Sequence, residues 1–484
     1  MAATGAATAQ QRQAIFRSLD EAPMGWRQYG LWFVASGGTL LDGFSIFALG
    51  VAMPLIVERF GLSPLVVGLI GSALVAGAAL GAAVGGRAAD RFGRKPLFLG
   101  DVAILAVGGF MSAAAETPLL VLFGQLLVGI GIGIDFPVSA SYVSETMPRR
   151  ARSRMVVATI ALQSVGMLVG AAAAIVTLRH SSSLADWRWI VGATGAGACG
   201  YLVLRVWLPE SPRWLFERGR ETEAASIVAR IVTDPVAATP SASPKSVTAA
   251  AMAPVASPDN SLADLFSPRL RSRTLLVSAP WFLMDIATYG VGLFTPIILG
   301  AIDPASTAAT AVARDLADAK GTAAIDLFLL LGFLAGLYAV PRFGRIRMQV
   351  VGFAGMTLGM LTLLIASTSE GGAATHVPLV FAGFILFNLA MNTGPNATTF
   401  TLAPELFPTS LRATASGFAA ATAKVGATLG IFVLPQVKAA WGVSGVLALM
   451  AAVSALGLIA TLVFAREMRE VPEGLGLEDV SSIQ

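Results

Sequence analysis

The sequence predicts an all-α membrane protein with twelve transmembrane helices, and three observations carry that prediction. The first is composition. Of 484 residues, 55% are hydrophobic and 13% charged, and mean hydropathy is +0.73; soluble domains carry about 25% charged residues. The second is spacing: twelve apolar windows, each near the ~20 residues that a spanning helix needs, stand between charged or Pro/Gly breaks. The third is a set of polar side chains inside those windows: Asp42, Asp135, Asp285 and the Asn392/Asn396 pair. An ionised side chain at bilayer depth costs about 2.5–3.5 kcal/mol. A chain that keeps several uses them to handle a solute or a proton.

The windows form two groups of six. The first group runs 30–57, 64–89, 96–114, 117–143, 154–178 and 188–207; the second runs 273–302, 323–343, 347–368, 376–404, 412–436 and 440–465. The domain plan is then a segment 1–29, a bundle 30–207, a linker 208–272, a second bundle 273–465 and a tail 466–484. The middle of the linker, Thr233 to Asn260, is rich in Ala, Pro, Ser and Thr and reads as a flexible connector. Amphipathic pieces flank it at Glu210–Ile231 and Ser261–Arg271. Each reads either as a solvated connector or as a short helix at the membrane surface. Short alternating segments, as a membrane β-barrel requires, are absent.

Loop charges set the orientation. With both termini inside, only Arg59, Arg179, Arg188, Arg314, Lys320 and Lys438 face outward. Lys424 lies within a span, and the rest of the 33 basic residues are cytoplasmic. The net charge of +4 therefore follows from topology, and no nucleic-acid partner is expected. Cys199 is the single cysteine, so no disulfide framework exists. His180 and His376, the two histidines, fall near predicted outer loops, and no metal site or cofactor is expected. The first 29 residues lack a cleavable signal pattern, which makes the first span an uncleaved anchor. Short loops point to a bacterial inner (plasma) membrane.

The halves repeat each other. Glu145, Pro148 and Arg152 in the first recur as Glu405, Pro408 and Arg412 in the second, each offset by 260 residues at the end of the fourth span of its half. A partial echo links Asp90-Arg-Phe-Gly93-Arg94 with Pro341-Arg-Phe-Gly344-Arg345. Duplicated bundles around a midplane site are a transporter architecture.

The loop Gly86-Arg-Ala-Ala-Asp90-Arg91-Phe-Gly93-Arg94-Lys95 resembles the signature loop of the major facilitator superfamily. Its bland reading is a charged turn that enforces orientation. The second copy lacks the Asp and the first Gly, with Pro341 and Leu337 in their places, so an asymmetric inner gate is expected. Pro209-Glu210-Ser211-Pro212-Arg213-Trp214, with Tyr142, Glu145, Pro148 and Arg152, resembles the sugar-porter-type branch. The resemblance implies the major facilitator fold, two pseudo-symmetric six-helix bundles, and a gate built from Asp90, Arg91, Arg94, Glu145, Arg152, Glu210, Arg213, Glu405 and Arg412.

The fourth span, Gly129-Ile-Gly131-Ile-Gly133-Ile-Asp135-Phe136-Pro137-Val-Ser139, is similar to the phosphate:proton symporter signature, with departures at Ile134, Phe136, Val138 and Ser141. Its glycines permit close helix packing rather than nucleotide binding, because no strand precedes them. On the seventh span Trp281, Asp285 and Tyr289 share one helical stripe. This triplet, Gln163, the Gly394-Pro395-Asn396 stretch and Lys424 also resemble that family. A packed aromatic pair with Asp285 as an interface hydrogen-bond partner is the plain alternative. Ser45 and Gln125 stand where that family often has an acid and an arginine, which leaves sugars, polyols and organic acids open beside phosphate.

The resemblance implies a cavity lined by the first, fourth, seventh and tenth spans. Asp42 and Asp135 are the expected proton carriers. Phe136, Gln163, Trp281, Asp285, Tyr289, Asn392, Asn396 and Lys424 are the expected solute contacts. The leading function is proton-coupled symport of a small polar solute, inorganic phosphate first. The alternatives are a sugar, polyol or organic-acid transporter, as symporter or facilitator, and a transporter-like nutrient sensor. The partners are the solute, protons and lipid, with the chain acting as a monomer. No nucleophile–base pair, metal cluster or phosphate-cradling loop points to an enzyme.

Overall fold

The computed structural model describes residues 15–180, 183–232, 262–302, 328–370 and 376–469, which are helical almost throughout, with no strand among them. The first half contains α1 (Trp26–Ala35), α2 (Gly37–Phe60), α3 (Pro64–Phe92), α4 (Arg94–Ala113), α5 (Pro118–Thr146), α6 (Arg149–His180) and α7 (Trp187–Val206). Two short helices follow, α8 (Pro212–Glu217) and α9 (Glu221–Val232). The second half contains α10 (Arg271–Ile302), α11 (Phe328–Phe343), α12 (Arg345–Thr368), α13 (Val377–Thr393), α14 (Pro395–Leu406) and α15 (Thr409–Arg469). Among the described residues ten helices are long and apolar enough to cross a membrane; α10 and the shorter α11 complete the twelve-helix plan. The linker middle and the residues from 470 onward lie outside the described residues, as do Arg314 and Lys320.

Three places interrupt simple rods. The first span breaks at Ser36, between α1 and α2. The tenth breaks at Gly394, whose φ of −110° and ψ of −100° are not helical. Pro395 explains this second break, since proline lacks an N–H and bars the helical conformation from the residue before it. The eleventh and twelfth run on as α15 and turn at Gly442, where φ is +67°, a conformation that glycine adopts without steric cost.

The glycines of α5 work as close-packing sites. A Cβ at Gly129 or Gly133 would lie 2.0 or 2.1 Å from the carbonyl oxygen of Leu74 or Ala78 on α3. These two glycines share a face, and Gly131, on another, meets the Asp101 carbonyl of α4. The halves meet in the same way: a Cβ at Gly86 of α3 would lie 2.1 Å from Ala413 O of α15, and one at Gly417 would lie 2.5 Å from Ala82 O. The amphipathic piece before the linker packs on protein. α9 buries Ala224, Ile227, Val228 and Ile231 against Trp214, Leu215 and Leu19.

Candidate solute site and its flanking ion networks

Backbone contacts fix the central cluster. At Gly43 and Gly166 the backbones of α2 and α6 touch, each glycine's Cβ position falling 1.9 Å from the opposing carbonyl of Gln163 or Leu40. That brings Asp42 Oδ2 to 2.6 Å from Gln163 Nε2, which donates to it. At Gly426, α15 closes on Phe282 O of α10. Lys424 thereby reaches the stripe on α10: its Nζ donates to Tyr289 Oη at 3.1 Å and stands 3.5 Å from Asp285 Oδ2. The same Nζ lies 5.2 Å from the ring centroids of Phe136 and Tyr289, within cation–π range. Asp42 is within electrostatic reach of Lys424 and Asp285, so α2, α10 and α15 converge across the two halves.

An aromatic wall adjoins the lysine. Phe136 meets Phe400 edge-on at 6.0 Å, and Trp281 meets Phe400 at 6.1 Å. From sequence Phe400 reads only as the end of the family-like stretch that begins at Gly394-Pro395-Asn396, not as a solute contact. Asn396 Nδ2 donates to Asn392 Oδ1 at 2.9 Å, and Asn392 in turn donates to the Asn388 carbonyl. An ammonium has three N–H donors. Among the described residues Nζ of Lys424 makes one hydrogen bond, and Asp285 Oδ2 makes none. Nζ and that oxygen face each other across a long ion pair of 3.5 Å, beside a flat apolar wall.

Asp135, also within electrostatic reach of Asp42, takes its ion-pair partner from its own half. Its Oδ1 accepts from Arg205 Nη2, and Arg205 Nη1 donates to Asp101 Oδ1 at 2.7 Å. This triad lies inside the first half, between α4, α5 and α7. The expectation that Lys424 is the only base within a span therefore needs correction, because Arg205 is fully buried on α7. Sequence reasoning missed it because Arg205 falls at the cytoplasmic edge of its window, where a basic residue reads as a topology signal. Asp101 lies close behind the Arg94-Lys95 loop and reads as interfacial for the same reason. Gly38 leaves room for the acid: a Cβ there would overlap the Asp135 carboxylate.

The charged end of the bundle carries the gate residues. Arg94, fully buried, donates to Asp90 at 2.9 Å and Glu145 at 2.8 Å. Asp90 Oδ2 crosses between halves, accepting from the N–H and the hydroxyl of Thr414, both at 2.8 Å. Arg412 reaches Glu145 across the same seam at 3.7 Å. Within the signature loop it is thus the aspartate that crosses, while Arg94 holds its own half together. Glu210 accepts from the N–H groups of Arg94, Lys95 and Ser211, capping the start of α4. Burial pushes the Glu210 carboxyl above its ordinary range, and those three amides oppose the rise. In the second half Arg345 pairs with Glu405 at 2.9 Å, and Pro341 replaces the crossing aspartate.

Three gate candidates sit differently from their motif neighbours. Arg91 is exposed, its guanidinium over the Phe92 ring. Arg152 and Arg213 both reach Asp20, at 2.5 and 2.9 Å. Asp20 gave no signal, because the polar segment that holds it carries no motif.

A two-bundle helical fold with a shielded ionic cluster at the centre defines a transporter class. The family model for the sugar (and other) transporters matches residues 31–473, so the chain belongs to that family, within the major facilitator superfamily. It is 27% identical over 457 residues to the putative metabolite transport protein YaaU of Escherichia coli, covering 94% of this chain and 95% of that protein. It is 29% identical over 486 residues to a repressible high-affinity phosphate permease of Neurospora crassa, covering 90% and 82%. Among solved structures, the proton:xylose symporter XylE bound to 6-bromo-6-deoxy-D-glucose aligns with a TM-score of 0.72 at 19% identity, over 91% of this chain and 96% of that one. That likeness shows the fold. The protein is a multi-pass membrane transporter of the sugar-porter type and not an enzyme.

Proposed function

We propose that the protein is a proton-coupled symporter whose solute is inorganic phosphate, acting as a monomer in a bacterial plasma membrane with both termini cytoplasmic. The observation that carries this reading is Lys424: a shielded ammonium with one hydrogen bond, to Tyr289, and a long ion pair at 3.5 Å to Asp285 Oδ2. A protonated phosphate matches this set. Its oxygens accept from Lys424, Tyr289 and Asn396, while its hydroxyl donates to Asp285. The phosphate permease named above supports the same solute, as does the probable inorganic phosphate transporter 1-6 of Arabidopsis thaliana, 27% identical over 520 residues.

Proton coupling follows from the acids. Asp42 is within electrostatic reach of Lys424 and Asp285, and an uncompensated carboxylate between the halves opposes their rocking until a proton neutralises it. Asp135 is the second proposed carrier. In this reading the seam at the charged end opens when Asp90 releases Thr414. A second reading, a sugar or polyol as solute, is favoured by the wall of Phe136, Trp281 and Phe400 and by Gln125, which donates to Ser112 where the related pattern has an arginine.

The test is uptake of labelled phosphate and labelled xylose into proteoliposomes, with and without an inward proton gradient. Phosphate accumulation that collapses when the gradient is removed supports the proposal. Xylose accumulation without phosphate accumulation transfers it to the second reading. Uptake indifferent to the gradient removes coupling.

A further inference from the structure

A guanidinium has five N–H donors, and in Arg205 all five are used. Nε donates to Val34 O at 3.4 Å, Nη1 to Phe98 O at 3.1 Å and to Asp101 Oδ1, and Nη2 to Ala35 O at 3.2 Å and to Asp135 Oδ1. Both aspartates are buried, and neither Asp101 Oδ2 nor Asp135 Oδ2 has a hydrogen-bond partner. The two carboxyl groups flank one guanidinium, Asp101 on Nη1 and Asp135 on Nη2, and act on each other electrostatically. With both ionised, two negative charges face one positive charge, and two acceptor oxygens face no donor. One proton corrects both deficits: a neutral carboxyl donates to the partner's free oxygen, and the triad becomes electrically neutral. The other titratable groups that act on this pair are Tyr201 on α7 and Asp42 on α2.

We propose that Asp101 and Asp135 share one proton beneath Arg205, which makes Asp101 a further member of a proton-binding site whose cation is Arg205 rather than Lys424. The site sits at the break in the first span. Val34 and Ala35 are the last residues of α1, whose end carbonyls lose their helical partners at Ser36, and Arg205 supplies them. Losing the proton leaves a net negative charge on the triad and strengthens the carboxylates' claim on Arg205 over those carbonyls. Proton occupancy is thereby tied to the junction between α1 and α2, the helix that carries Asp42. Use of this proton in transport rests on the symport reading above; its presence does not.

Infrared spectroscopy of the purified protein in detergent, titrated with alkali, tests the proposal. The expected result is a protonated-carboxyl stretch at neutral pH that Asp101→Asn and Asp135→Asn each abolish and Asp42→Asn retains. The wild-type spectrum needs no variant, so misfolding of a mutant does not mask the answer. A wild-type spectrum without that band at neutral pH, or a band that survives Asp101→Asn in folded protein, overturns the shared proton. Proteoliposomes with labelled phosphate supply the transport arm. Gradient-driven accumulation by Asp101→Asn is expected to fall about tenfold, with counterflow exchange retained. If wild-type uptake ignores the gradient while the band behaves as described, the symport reading fails and the shared proton stands. Full gradient-driven uptake by Asp101→Asn overturns the site's part in coupling.

Discussion

Two shielded basic residues in this molecule do opposite work. Arg205 is saturated, each of its five donors spent on a carboxylate or a carbonyl of its own half. Lys424 is unsaturated, with one hydrogen bond to Tyr289, one ion pair at 3.5 Å and two aromatic faces. The guanidinium's planar fork suits a permanent clamp, and the ammonium's point charge on a flexible stem suits a ligand that comes and goes. Depth alone therefore does not mark a solute site; an incomplete hydrogen-bond inventory does.

The comparison breaks most sharply at Arg205. Arg205→Leu strands two buried carboxylates and three carbonyls, and removing one partner of a buried ion pair costs about 3–5 kcal/mol. The prediction is loss of folded protein, read as the yield of monodisperse material in detergent. Normal yield and melting temperature would show that the clamp is dispensable. Lys424→Met comes next. It removes the proposed anion contact but leaves two buried acids, Asp285 and Asp42, which can take up a proton. Folded protein is expected, with phosphate affinity reduced about a hundredfold, a loss of about 3 kcal/mol.

Smaller effects sharpen the contrast. Tyr289→Phe deletes one charge-assisted hydrogen bond, and its phosphate Kd is predicted to rise about tenfold with expression unchanged. An unchanged Kd would make Tyr289 a packing residue. At the charged end, Asp90→Asn keeps the shape but weakens the two bonds to Thr414, which favours opening of that end. The predicted readout is faster labelling of a cysteine introduced at Ala413, in a background where Cys199 is replaced by alanine, by about threefold. Pro341→Asp supplies the aspartate that the second half lacks and is predicted to slow the same labelling.

Much of this was legible in the residues, for reasons that differ by region. The spans follow from length and apolarity, which the bilayer enforces on every helix. The glycines of α5 were readable as packing sites, because at i, i+4 spacing on an apolar helix their chief physical use is close approach. The stripe of Trp281, Asp285 and Tyr289 followed from helical periodicity, and Lys424 from its depth. The partner of Asp135 was not legible, because depth does not say which way a helix faces. A side chain's partner is decided by rotation about the helix axis, and Arg205 and Asp101 were hidden at window edges where charge is ordinary. The breaks at Ser36 and Gly394 differ in the same respect. Gly394-Pro395 announces its break, whereas Ser36 carries no proline, and its break is held by tertiary contacts such as Ser36 to Thr159 at 2.8 Å and Arg205 to the α1 carbonyls.

The most direct test of the unsaturated lysine is calorimetric titration of the purified protein with inorganic phosphate at acidic and at alkaline pH, wild type beside Lys424→Met. Saturable binding by the wild type, tighter at acidic pH and lost in the folded variant, is the predicted result. Equal binding by both proteins would contradict the account, because the solute would then be held somewhere other than at Lys424.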